Sequence, residues 1–261
     1  MATLPNPLPT LAADPSGRSL GLQLPLGRLI DATDEGPWHE PLLWYAEQTA
    51  SAGNWTALGV RAGRAGLLPV LLDLGDGQGG PQDWELTPGE TSYPGDHDAE
   101  EVLADFWDEY AAAGDEWPGL SAPLTRTADP DTRAAEVADS LAEERTSLRE
   151  PHLALVPARR SADIPAAIGW TGPLNYEEDV AVYCAVLRSW EDRFGIRVVA
   201  LGFDRLVVSV AAPPTTQAEA EAVTAEHFAF CPDTIAQDGD EATRDYAKRL
   251  VGAETWSFWW D

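Results

Sequence analysis

The chain has 261 residues, 44% hydrophobic and 23% charged, which excludes collagen, coiled coil and wholesale disorder and allows one large domain or two modest ones. A chain of this length buries a core without disulfides or a structural metal. Forty-four Asp and Glu stand against seventeen Lys and Arg, net −27, with Lys248 the only lysine; phosphate and anionic lipid need clustered cations, so nucleic acid and membrane surfaces are excluded as partners and a basic protein is favoured.

Residues 1–20 are rich in Pro, Gly and small side chains and predict a flexible N-terminal arm. An acidic α+β region over 21–128 follows. Within it, Pro41-Leu-Leu-Trp-Tyr45 reads as a short strand, and Leu67–Leu74, nearly continuous in apolar residues between Gly66 and Gly75, as a strand covered on both faces. Pro69 then belongs near its start or on an edge. No Lys or Arg occurs between Arg64 and Arg126, and twelve acids fall between Asp83 and Glu116. The spacing predicts a helix over 98–113 with Val102, Phe106 or Trp107, and Tyr110 inward and Glu101, Asp105, Asp108 and Glu109 toward solvent.

Asp129-Pro130 is an N-cap followed by a first-turn proline, which opens a bridging helix over 129–150. The charge divides unevenly around it: residues 1–150 hold 27 acids and 8 bases, residues 151–261 hold 17 and 9. The region 151–261 reads as a C-terminal α+β domain. His152–Val156 is a strand; Asn175-Tyr-Glu-Glu178 resembles a capping box, and Val180, Tyr183, Cys184, Leu187, Trp190 and Phe194 recur at helical spacing until Gly195. Ile196–Ala200 and Leu206–Val210 predict a hairpin. Thr216-Gln-Ala-Glu219 caps a helix to about Phe230, and a third helix runs near Glu241–Val251. Trp256-Ser-Phe-Trp-Trp-Asp261 predicts a docked terminal strand, since large apolar side chains rarely end a soluble chain exposed. The expected fold class is α+β: two layers, helices on a small antiparallel or mixed sheet, with a looser acidic α/β half before it.

Several of these segments together resemble a bacterial family, common in actinobacteria, known as domain of unknown function 4253. The residues that carry the resemblance are Gly169-Trp170, Asn175, Ala185-Val-Leu-Arg-Ser-Trp-Glu-Asp-Arg-Phe-Gly195, Val210-Ala-Ala-Pro-Pro214, Ala225-Glu-His-Phe-Ala-Phe-Cys-Pro-Asp233 and Trp256–Asp261. They span roughly 152–261; around Leu42-Leu-Trp44 and Gly66–Leu72 the likeness is looser. The resemblance supports the C-terminal domain and implies no reaction.

Two cysteines, Cys184 and Cys231, without a Cys-x-x-Cys fit a reducing cytosol. The N-terminus lacks a basic start and an unbroken apolar segment, and no apolar run is long enough to cross a bilayer, so a cytoplasmic protein is expected and the sequon Asn54-Trp-Thr56 carries no meaning.

Few motifs bear chemistry. Gly75-Asp-Gly-Gln-Gly-Gly80 satisfies G-x-G-x-x-G, yet Pro81-Gln-Asp-Trp-Glu85 follows it rather than a helix, and Asp76 repels phosphate. Cys184, His227 and Cys231 offer three zinc ligands, against the reading of two small buried thiols and a histidine bonded internally. Glu226, His227 and Asp233, with Glu191 and Asp192, supply a general acid and base if their helices face each other, although no nucleophile motif accompanies them. Asp96-His-Asp98 with Glu100-Glu101 offers a hard-cation set or, more simply, compensation of a helix dipole. Arg188, Arg193 and Arg197 surround Trp190 and are expected to pair internally with Glu191, Asp192 or Glu178.

The sequence thus predicts a non-catalytic interaction protein whose acidic face, Glu101, Asp105, Asp108 and Glu109, meets a basic partner; an immunity protein masking a cationic toxin is one version. The alternatives are a metal-dependent hydrolase around His227 and Cys231, and a small-ligand-binding protein with its site there or between the two halves. No cofactor is expected. The acidity itself also follows from an Arg-over-Lys, Ala-, Gly- and Pro-rich composition that favours solubility.

Overall fold

A computed structural model describes residues 5–144, 148–235 and 240–261. Its strands are β1 Gly27–Ile30, β2 Ala32–Thr33, β3 Gly36–Pro37, β4 Leu43–Thr49, β5 Leu68–Asp73, β6 Pro151–Val156, β7 Arg197–Leu201, β8 Arg205–Ser209 and β9 Thr255–Trp259. The helices are α1 Thr10–Ala13, α2 Asn54–Arg64, α3 Ala99–Tyr110, α4 Pro130–Glu144, α5 Ile164–Ile168, α6 Val180–Phe194, α7 Gln217–Phe230 and α8 Asp240–Leu250. Seven strands form one mixed sheet in the order β1-β4-β6-β5-β7-β8-β9; β2 and β3 form a separate ribbon. Every pairing in the large sheet is antiparallel except β5 with β7.

The fold is α+β on a mixed sheet, as the sequence predicts. It differs in size and layering. The sheet is not small, and helices cover both its faces. On one face Val70, Leu72, Ala154, Val156, Val198, Leu206 and Val208 pack with Trp190 and Phe194 of α6 and Phe230 of α7. On the other, Leu71, Leu153, Leu155, Val199 and Val207 pack with Trp55 and Leu58 of α2 and Ala134, Val137 and Ala138 of α4. Successive residues of a strand point to opposite faces, so the unbroken apolar runs of β5 and β6 demand cover on each side. Pro69 sits near the start of β5, ahead of Leu71 and Leu72, which pair with β7, so its missing N–H breaks no ladder on that side.

The strand β6 opens the second half of the chain yet lies between β4 and β5 of the first. The compositional boundaries at 128 and 150 therefore do not break the sheet. The expected flexible arm is also docked within its described part: Leu8 and Leu11 are buried against the same face as α2 and α4, because a short apolar helix gains more from burial than from solvent.

Capping explains where the helices begin. The Asp98 carboxylate accepts the N–H groups of Glu100 and Glu101, that of Asp129 accepts those of Asp131 and Thr132, and Thr216 and Glu219 form a full capping box. Asn175 does not cap α6. That role falls to Asp179, which accepts the N–H of Ala181, while Asn175 donates from Nδ2 to the carbonyl of Asp261. A turn after Pro173, closed by Tyr176 N–H on the Pro173 carbonyl, delays the helix by four residues.

Gly169 ends α5 at φ 64°, and a Cβ there would lie 2.2 Å from the Pro88 nitrogen and 2.4 Å from the Thr87 carbonyl carbon. Only glycine fits such a position. The close approach lets the Thr87 N–H donate to the Gly169 carbonyl at 2.8 Å, tying the loop before α3 to the C-terminal part. The terminal strand β9 alternates exposed and buried residues along the sheet edge: Trp256, Phe258 and Trp260 enter the core, and Trp259 stays 40% exposed.

Candidate functional site

The helix α7 sets Glu226 and His227 side by side, both without exposed surface. Glu226 is fully engaged. Its Oε1 accepts from Arg193 Nη1 at 2.8 Å and from the Ser121 N–H and hydroxyl; its Oε2 accepts from Arg193 Nη2 at 2.5 Å and Trp190 Nε1 at 2.8 Å. A buried carboxylate is tolerated only when paired and hydrogen-bonded in this way. No lone pair is left over for proton transfer to a substrate.

His227 lies in an aromatic cage: its ring centroid is 4.5 Å from Trp256 and 5.0 Å from both Trp190 and Phe258. Nδ1 is 3.0 Å from the Tyr246 hydroxyl, and Nε2 has no partner among the described residues. Burial alone pushes the imidazole down to about 3, since desolvation disfavours the charged form. The ring is neutral at physiological pH and shut away from solvent.

The zinc reading is not assembled. Cys184, on α6, is wholly buried, and burial pushes its thiol up. The Cys231 thiol, pushed up to about 11 by burial, contacts the Thr234 hydroxyl at 3.1 Å and donates to the Trp259 carbonyl at 3.0 Å. Among the described residues no three His, Cys, Asp or Glu are placed to hold a metal ion. The Cys231 N–H closes α7 on the His227 carbonyl, so Cys231-Pro232 is a helix stop.

The acid–base set is likewise dispersed among different partners. Glu191 receives Arg160 at 3.1 Å and Arg197 at 3.3 Å; Asp192 receives Arg160 at 2.6 Å; Asp233 accepts from the Tyr176 hydroxyl at 2.6 Å and the Asp261 N–H. The arginines pair internally, as expected, though two take partners other than those foreseen: Arg188 binds both oxygens of Asp163 and lies 4.9 Å over the Tyr93 ring, and Arg193 binds Glu226.

The acidic face of α3 is brought together as the helical spacing implies. Val102, Leu103 and Phe106 are buried against α6 and α7, with Trp107 against Trp117 and Phe228. Glu101, Asp105, Asp108 and Glu109 are exposed. Among the described residues none of these four carboxylates is in a salt bridge. Asp98 caps the helix and His97 contacts the Ser92 hydroxyl at 2.6 Å and Asp179 at 3.8 Å, so Asp96-His-Asp98 is tied into local structure. The G-x-G-x-x-G segment is a loop followed by a single 3₁₀ turn, Pro81–Asp83, rather than by the α-helix a phosphate-binding loop needs.

Sequence reasoning missed Ser121, Asp163 and the tandem Arg159-Arg160. Arg159-Arg160 was legible as the one adjacent pair of cations among the first 160 residues of a cation-poor chain. Ser121 and Asp163 gave no such signal, because their partners lie 105 and 25 residues away.

No helix of the described residues is long and apolar enough to cross a membrane. No curated protein and no solved structure matches the chain. A family model does match its C-terminal part and leaves α1–α4 and β1–β5 outside. Residues 152–261, from β6 through the terminal strand β9, match the family described as Domain of unknown function (DUF4253).

Proposed function

We propose that the protein is a non-catalytic interaction protein whose α3 face, Glu101, Asp105, Asp108 and Glu109, docks a basic partner protein. The observation that carries this reading is the contrast in pairing. Arg160, Arg188, Arg193 and Arg197 are each matched to carboxylates inside the fold, whereas among the described residues the four α3 carboxylates have no cation. A one-signed patch steers an oppositely charged partner and raises its association rate. An immunity-type role against a cationic toxin is the most specific form of the proposal. A bacterial, actinobacterial source and a cytoplasmic location belong to the same reading, supported by two unpaired, buried thiols and the choice of Arg over Lys.

The test is affinity capture from host lysate with the wild type and with the triple variant Glu101→Arg, Asp105→Arg, Asp108→Arg, at low and moderate salt. One stoichiometric basic protein, retained by the wild type, released by salt and missing from the variant, supports the proposal. Identical captures by both proteins overturn it. The hydrolase reading at His227 finds no support in a caged, neutral imidazole beside a fully bonded Glu226.

A further inference from the structure

A cleft of about 720 Å³ opens where α2, the first turn of α4 and the loop after β6 converge over the starts of β5 and β7. Part of its lining is apolar: Trp55 of α2 with Leu68 and Pro69 of β5. Gly59 and Gly63, four residues apart on α2, lie on one helix face and keep the cleft open. A Cβ at Gly63 meets nothing within 4 Å, and one at Gly59 meets nothing nearer than Pro69 at 3.5 Å.

The polar part of the lining is unlike the rest of the molecule. Arg159, Arg160 and Arg197, three of only seventeen cations, all border this space. The carboxylates beside them are already engaged: Asp129 caps α4, Asp131 accepts from Arg197 Nε at 2.7 Å, and Glu191 is shared by Arg160 and Arg197. Those bonds use Nε and Nη2 of Arg160 and Nε and Nη1 of Arg197, leaving, among the described residues, one further nitrogen on each of these two guanidinium groups. In a chain of net charge −27 this is a local site of balanced charge with rigid, forked donors. Arginine matches carboxylate and phosphate geometry better than any other side chain. The volume falls in the range of small-molecule pockets, and the mixture of an apolar wall with a few convergent polar groups is their usual composition.

We propose that this cleft binds a small organic anion, its apolar body against Trp55, Leu68 and Pro69 and its carboxylate or phosphate against Arg159, Arg160 and Arg197. The site is separate from the α3 face, and either proposal stands if the other fails.

The probe is 8-anilinonaphthalene-1-sulfonate, an anion on an apolar aromatic body whose fluorescence rises in apolar surroundings. The wild type is expected to bind one equivalent. Gly63→Leu, which fills the cleft from a helical position with room for a side chain, is expected to abolish that binding while the melting temperature is no lower than the wild type's and near-ultraviolet dichroism stays the same. Arg159→Gln is expected to weaken binding about tenfold, the loss of one charge-assisted contact. Displacement by phenyl phosphate but not octanoate, or the reverse, identifies the head group; displacement by both leaves the class as stated. No wild-type binding, equal binding by a folded Gly63→Leu variant, or equal displacement by neutral benzyl alcohol overturns the proposal.

Discussion

The Arg193 guanidinium grips both oxygens of Glu226, Nη1 to Oε1 at 2.8 Å and Nη2 to Oε2 at 2.5 Å, around a carboxylate with no exposed surface. Ser121 and Trp190 complete the shell, so one carboxylate ties the connector before α4 to α6 and α7. Removing one partner of such a pair leaves an uncompensated buried charge. Glu226→Ala is therefore expected to destabilise the protein by about 3–5 kcal/mol, read by urea denaturation. A loss below about 1 kcal/mol contradicts this role.

His227 makes stability depend on pH. Its folded value, about 3, lies below the ordinary 6.5, so below pH 6.5 the unfolded chain takes up a proton that the folded chain refuses. The stabilising contribution is complete above pH 6.5 and falls as pH drops toward 3, by about 1.4 kcal/mol per pH unit. Denaturation midpoints at pH 7 and pH 5 should therefore separate further in the wild type than in His227→Gln. Equal separations would show that the imidazole titrates freely in the folded state.

Two glycines should respond in opposite directions. Gly169→Ala drives a Cβ into the Thr87–Pro88 backbone at positive φ and is expected to cost at least about 2 kcal/mol. Gly63→Ala, in open space within α2, is expected to stabilise by about 0.4–1 kcal/mol. Thermal melting of both variants beside the wild type checks the pair. A neutral Gly169→Ala would mean that the loop around Thr87 yields.

Both thiols should be inert in the folded protein. Burial raises Cys184 and Cys231 and hides them from solvent, and the thiolate is the reactive form. Ellman's reagent is expected to titrate neither thiol natively and both in guanidinium chloride. Rapid native reaction of one thiol would expose a dynamic opening near α6 or α7.

Local signals made most elements of the C-terminal part legible. The Thr216 capping box, the helical spacing of Val180 to Phe194, the hairpin at Gly202 and the aromatic terminal strand all act over a few residues, and each appears in the fold. The α3 amphipathic pattern, with its four outward carboxylates, was readable for the same reason. What pattern could not show is long-range. The placement of β6 between β4 and β5 rests on partners about a hundred residues apart, such as Trp44 and Leu155. The choice of Asp179 over Asn175 as the α6 cap goes with the turn after Pro173, while Asn175 donates to the carbonyl of Asp261, 86 residues away. Likewise, Glu226 and His227 look alike in sequence as candidates for chemistry. Only the burial of both, and the arginine waiting at 2.5 Å, shows that they hold the core together.

The central claim is that unpaired carboxylates on α3 receive a basic partner. The most direct measurement is the dissociation constant of the captured partner across a salt series, for the wild type and the Glu101→Arg, Asp105→Arg, Asp108→Arg variant, each confirmed folded by its melting temperature. The account predicts wild-type binding that weakens steadily as salt rises, and a variant weaker by about a hundredfold or more at low salt. A dissociation constant indifferent both to salt and to the three reversals would contradict it.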